Sequence, residues 1–177
     1  MQDDVNTGSL NPEPANLEKD DGLINSRRGF HAVVREAFAS LSGSASAEVV
    51  ICDIDFADWP LGEMSVIDSL MQWVRPNRRL VVYAQNFDEV LRRHPRWVTW
   101  RRQFAHRVEC QMVEPLEQGR MPSLFTARGG TTIRMFDSIR YRGTVSTSVA
   151  DAVLAREQID VISQRSTPSF AATTLGL

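Results

Sequence analysis

Helical and strand-like hydrophobic patterns alternate along this chain, and that alternation restricts the fold more than any other feature. Phe30, Val33, Val34, Ala37, Phe38 and Leu41 recur at i, i+3, i+4, i+7, i+8 and i+11, one helical stripe. Asn25 or Ser26 can cap that helix and Gly43 can stop it. The run Glu48–Phe56 then places Val49, Val50, Ile51 and Cys52 in succession, as in a strand buried on both faces. Trp59-Pro60-Leu61-Gly62 reads as a loop. Met64, Ile67, Leu70, Met71 and Val74 form the next helical stripe, ended by Pro76. Arg79–Ala84 is a second strand and Val108–Val113 a third. Between them, Phe87 to Arg107 has helical character, with Asp88 and Glu89 suited to its first turn. Pro95 interrupts it, which predicts a kink or two helices meeting near His94.

Beyond residue 120 the texture changes. Leu124–Ala127, Thr131–Phe136 and Ile139–Val145 are shorter strands joined by tight turns, with Gly129-Gly130 the strongest turn signal. A last helix runs from Ser148 to Ser163, Ser148 and Asp151 being spaced as a capping pair. The order predicts an α/β fold: a mixed, mainly parallel sheet with flanking helices and a C-terminal β-meander plus helix.

Charge divides the chain differently. Residues 1–25 carry six acids and one base, Lys19, a balance of −5, together with Pro12 and Pro14 and few large apolar side chains. Such a segment cannot bury enough surface to offset its ordering entropy, so residues 1–25 are expected to be a disordered acidic tail. Residues 26–166 then form a single α/β domain and 167–177 a C-terminal tail. The total of 177 residues fits one domain with a sizeable core. No apolar run reaches the roughly 20 residues of a membrane span. The start lacks the basic and apolar pattern of a secretory signal, and two cysteines, Cys52 and Cys110, both lie in strand-like runs. Buried thiols in a reducing compartment fit that usage, and a cytoplasmic location is the expectation.

Few groups carry recognisable chemistry. Asp53 and Asp55 end the first apolar strand two residues apart, a spacing that puts both carboxylates on one face, within reach of one Mg²⁺. That spacing resembles the nucleophile motif of haloacid-dehalogenase-like phosphotransferases. The family also requires a later lysine, and none follows Lys19; the hydroxyl-bearing second strand is missing too, because Arg79–Ala84 offers none of that kind. Capping of a neighbouring segment, or pairing with arginine, is the competing role for the two aspartates. His31, His94 and His106 form no metal-binding spacing, and no metalloprotease, P-loop, dinucleotide or serine-hydrolase motif occurs. No cofactor is expected.

The most unusual local feature is positive charge. Residues 75–107 contain nine arginines against Asp88 and Glu89, a balance of +7, with Trp97 and Trp100 among them. Arginine interleaved with aromatics can hold phosphate backbones and stack on bases. Helical spacing places Arg92, Arg93 and Arg96 on one side and Trp97, Trp100 and Phe104 on another. An ordinary amphipathic helix shows the same split. Arg92, Arg93, Arg96, Arg101 and Arg102 are the candidate anion- or nucleic-acid-binding residues; an acidic protein surface or the chain's own acidic tail are other occupants.

With the order of elements established, residues 28–166 resemble one half of a phospholipase D-like domain. The resemblance is carried by the leading helix, the strand Val49–Phe56, the helix with Ile67 and Leu70 running into Arg78-Arg79-Leu80-Val81-Val82, then Leu124–Ala127, the glycine turn and Thr131–Arg134. That family's chemistry rests on His-x-Lys-x4-Asp, and the layout puts those roles at Met121, Ser123 and Arg128, so all three are vacant. The resemblance therefore implies a non-catalytic copy. Members of this type pair two halves about a two-fold axis, which makes a homodimer an expectation. The leading reading is a non-catalytic domain that binds nucleic acid or another anionic partner. A Mg²⁺-dependent phosphotransferase using Asp53 and Asp55 and a dimeric scaffold without ligand are the alternatives.

Overall fold

A computed structural model describes residues 22–115 and 121–171. Most of the acidic tail and the end of the C-terminal tail lie outside the described residues. The elements in chain order are β1 (Leu23–Ile24), α1 (Arg27–Ser40), β2 (Glu48–Cys52), α2 (Met64–Trp73), β3 (Arg79–Ala84), α3 (Asp88–Arg93), α4 (Pro95–Gln103), β4 (Val108–Val113), β5 (Ser123–Ala127), β6 (Thr132–Asp137), β7 (Arg142–Ser146), α5 (Val149–Ser163) and β8 (Ser166–Pro168).

Local chemistry accounts for the boundaries. Ser26 caps α1 by accepting from the Gly29 N–H at 3.1 Å, and a 3₁₀ turn over Leu41–Gly43 finishes that helix. Ser148 caps α5 by accepting from the Asp151 N–H at 3.1 Å and donates to the Asp151 carboxylate at 2.8 Å. Pro95 occupies the first turn of α4, where its missing N–H leaves no helical bond unmade, so α3 and α4 meet at His94 as expected. Gly129, at φ +72°, makes the turn between β5 and β6.

The eight strands form one sheet in the order β1-β7-β6-β5-β2-β3-β4-β8. It is mixed, as expected, but it is not mainly parallel: among the described residues only β2–β3 and β3–β4 are parallel, while β5 runs antiparallel beside β2 and the meander extends outward from it. The helix–strand alternation specifies parallel neighbours only where a helix crosses between two strands. Once β5 lands next to β2 instead of outside β4, every later pairing is antiparallel. Two short strands lie where tails were expected. Leu23–Ile24 pairs with Thr144 and Gly143, and Ser166–Pro168 pairs with Val113, Met112 and Gln111. β2 also stops at Cys52, short of Phe56, because the chain turns at the Asp53 carboxylate that follows it.

The two sheet faces are unequal. Val49, Ile51, Leu80, Val82, Ala84, Val108, Cys110, Phe125 and Ile133 pack beneath α1, α2, α3 and α4 in one large core. Val50, Cys52, Val81, Tyr83 and Leu124, on the other pleat, meet only Ala155, Ile159 and Ile162 of α5 among the helices. Among the described residues, no helix is long and apolar enough to cross a membrane.

Candidate functional site

At the carboxyl end of β2 the chain turns sharply, and Asp53 explains how. Its Oδ1 accepts from the N–H groups of Asp55 (3.2 Å) and Phe56 (3.0 Å), and its Oδ2 accepts from Trp59 Nε1 at 2.9 Å. Trp59 Nε1 also reaches Ser123 Oγ at 3.3 Å. These bonds end the strand and hold Phe56 at φ +58°, a left-handed conformation uncommon for a bulky residue. Burial raises the Asp53 pKa, and the donors from Ser123, Trp59, Phe56 and Asp55 oppose that shift. Asp55 accepts from the Ala57 N–H at 2.9 Å. Both carboxylates therefore accept from their own loop while also bordering the cleft above it. Among the described residues, no group of three or more His, Cys, Asp or Glu could hold a metal ion. The hydrogen bonds that the two carboxylates accept are those of caps on their own turn.

A cleft of about 90 Å³ opens above this turn, lined by Phe30, Asp53, Asp55, Trp59, Met121 and Ser123, with Tyr141 at its side. Two of the three positions at which the phospholipase D-like layout places reactive groups, Met121 and Ser123, border it. Arg128 does not: it lines a separate groove of about 390 Å³ between the sheet and α5.

The same loop ties the strand end to the arginine-rich helices. His94 is buried and its Nε2–H donates to the Phe56 carbonyl at 2.9 Å; burial is the main force lowering its pKa. Arg93 donates to the Ala57 carbonyl and Arg96 to the Gly62 carbonyl, each at 3.4 Å. A Cβ on Gly62 would come within 3.2 Å of His94 Cα, a contact tight enough that the helix junction would have to shift slightly to admit it.

The five candidate arginines separate into three environments. Arg92 and Arg93 are exposed and share the Glu89 carboxylate, at 2.6 and 2.5 Å, one helical turn back. Arg96 and Arg102 stand exposed on the outer side of α4 with no carboxylate partner among the described residues. Arg101 does not belong with them. It is 6% exposed and its guanidinium carbon lies 5.1 Å from the centre of the Phe170 ring. A helix has a buried side, and Arg101 follows Trp97 and Trp100 onto it; charge alone did not reveal that. Burial pushes the Cys110 thiol up to about 11, and the positive charge of nearby Arg101 partly offsets that rise.

Sequence reasoning assigns no role to Trp59 or Phe170, and gives Ser123 only as a vacant position of the phospholipase D-like layout. Ser123 and Trp59 are joined only by folding. Phe170 falls in the expected C-terminal tail, where the only signal is that it is the one aromatic among residues 167–177.

No protein-family model matches the sequence, and no curated protein does. The structure is similar to that of TrmBL2, an archaeal chromatin protein with a novel mode of DNA binding, at a TM-score of 0.57 and 8% identity. The match covers 83% of this chain and 53% of that one, so the chain spans about half the length of the protein it matches. At that identity the likeness is one of fold.

Proposed function

We propose that this protein is a non-catalytic binding domain that holds nucleic acid by its phosphate backbone along the outer side of α3 and α4. The observation that carries the reading is the charge of that surface. Arg92, Arg93, Arg96 and Arg102 are all exposed there, and no acid occurs between Glu89 and Glu109. Arg96 and Arg102 lie 6 residues apart on one helix, a rise of about 9 Å that spans neighbouring phosphates. The fold shared with a chromatin protein that binds DNA adds support. Descent from a phospholipase D-like half-domain is part of the reading; Met121 and Ser123 at the strand-end cleft support it, and the position of Arg128 does not.

Fluorescence anisotropy with labelled DNA at several salt concentrations tests the proposal. The affinity should fall steeply with salt, and Arg96→Ala with Arg102→Ala should reduce the log–log salt slope by about 2. Absence of binding to single-stranded and duplex DNA at low salt ends the reading.

A second reading, a dimeric scaffold, is favoured by α5, which leaves Val149, Val153, Leu154 and Val161 exposed. It requires a dimer by light scattering that Val153→Glu with Leu154→Glu dissociates. A monomer at all concentrations removes it.

A further inference from the structure

Ser166–Ala171 forms a strap across the edge of the sheet. Three residues pair with β4, and the Ser169 N–H donates to the Cys110 carbonyl at 3.0 Å. Thr167 and Pro168 are exposed, and proline contributes no N–H. A strand this short at a sheet edge holds weakly. The backbone then enters the left-handed region at Phe170, φ +52°, a conformation that large side chains rarely adopt.

That turn lays the Phe170 ring on Phe87, with centroids 4.9 Å apart and planes 9° from parallel. Trp97 lies 6.5 Å away at 14°, and the Arg101 guanidinium carbon is 5.1 Å from the same ring. Phe87, Trp97 and Arg101 are buried, whereas Phe170 is half-exposed. A flat ring held among two near-parallel aromatics and a guanidinium is the environment in which proteins hold an unpaired nucleobase.

Phe170 satisfies only the stacking half of that environment. In the same cluster Trp97 Nε1, Trp100 Nε1 and Arg101 Nε are buried donors with no acceptor among the described residues. A phenyl ring offers them only its π face, a weak acceptor. A nucleobase carries ring nitrogens and carbonyl oxygens as well as a face to stack. The groups are donors alone, so the missing partner is one that accepts. The slot also belongs to α4, the helix that bears Arg96 and Arg102 on its outer side.

We propose that the slot beneath Phe170 is a binding site for one unpaired nucleobase, filled by the chain's own strap until a single strand displaces it. The proposal rests on the nucleic-acid reading of the α3–α4 surface and narrows it to single strands.

The test compares the full chain with its Phe170→Ala variant, each titrated with an oligomer of ten thymidines and with an abasic oligomer of equal length. Anisotropy reports binding and tryptophan fluorescence reports stacking. The variant should bind the thymidine oligomer at least about five-fold tighter than the parent, with quenching, while the abasic oligomer binds both proteins alike. If the variant gains nothing for the thymidine oligomer while both oligomers still bind, the slot is wrong and the arginine surface stands. If the parent binds neither and the variant binds only the base-bearing oligomer, the slot stands without the arginine surface. Failure of every combination overturns both. Should Phe170→Ala melt early by circular dichroism, Phe170→Leu, which removes the flat ring and keeps apolar bulk, serves the same comparison.

Discussion

The strand-end turn and the outer side of α4 are both rich in charge, yet they differ in how far that charge is committed. Asp53 is buried and its two oxygens accept three N–H groups from its own loop, with Ser123 alongside. Arg96 and Arg102 stand in solvent, and among the described residues neither meets a carboxylate. A polar group whose hydrogen-bonding capacity is filled from within the fold builds structure, and one left open to water is available to a ligand. Spacing alone left two roles open for Asp53, metal ligand or cap, and two for the arginines, phosphate binding or a solvated helix face. Their surroundings separate them: Asp53 is occupied within its own turn, and Arg96 and Arg102 are not.

The largest expected effect breaks the comparison on the structural side. Asp53→Ala leaves the Trp59 indole N–H and two backbone N–H groups unpaired in a buried turn, and should cost about 3 kcal/mol of stability or more by urea unfolding. Asp53→Asn retains an acceptor and should cost less. Nucleic-acid affinity per folded molecule should not change in either variant. If both substitutions are neutral, the carboxylate is not the cap described here.

Next comes the opposite side. Arg96→Ala with Arg102→Ala should weaken DNA binding by about ten-fold at moderate salt while leaving the melting temperature unchanged. A loss of folding, with no loss of affinity, would place these arginines with Asp53.

The pH dependence sharpens the difference further. The folded pKa of His94 lies below its ordinary 6.5, so the unfolded chain binds more protons in acid. Its contribution is complete above 6.5 and declines as pH falls from there through the folded value. Arg93 adds to that lowering and Glu89 opposes it. Asp53 works with the other sign: its raised pKa gives a contribution that is greatest below 3.8 and shrinks as pH rises through the folded value. Urea midpoints measured from about pH 5 to 7 should rise for the parent and flatten for His94→Gln, which keeps an N–H for the Phe56 carbonyl.

The smallest effect concerns the two arginines between these extremes. Arg92 and Arg93 share Glu89, so Glu89→Gln should release both and tighten DNA binding by about two- to three-fold at low salt, less at high salt. No change would mean that the shared carboxylate never competed with phosphate.

Much of this protein was legible from its residues alone. The helical stripe from Phe30 to Leu41, the apolar runs at Val49 and Leu80, the break at Pro95 and the cap at Ser148 all correspond to observed elements. These signals work because hydrophobic period, capping and proline geometry act within a few residues of chain. What only the tertiary structure decided depends on which distant segments meet. The placement of β5 against β2 made the sheet mostly antiparallel, and the reach of Trp59 to Ser123 completed the Asp53 turn. The position of α4 on the sheet drew Arg101 inward, where Phe170 could cover it. Local pattern specifies which side of an element is apolar, whereas the partner that covers that side is chosen by packing across the whole chain.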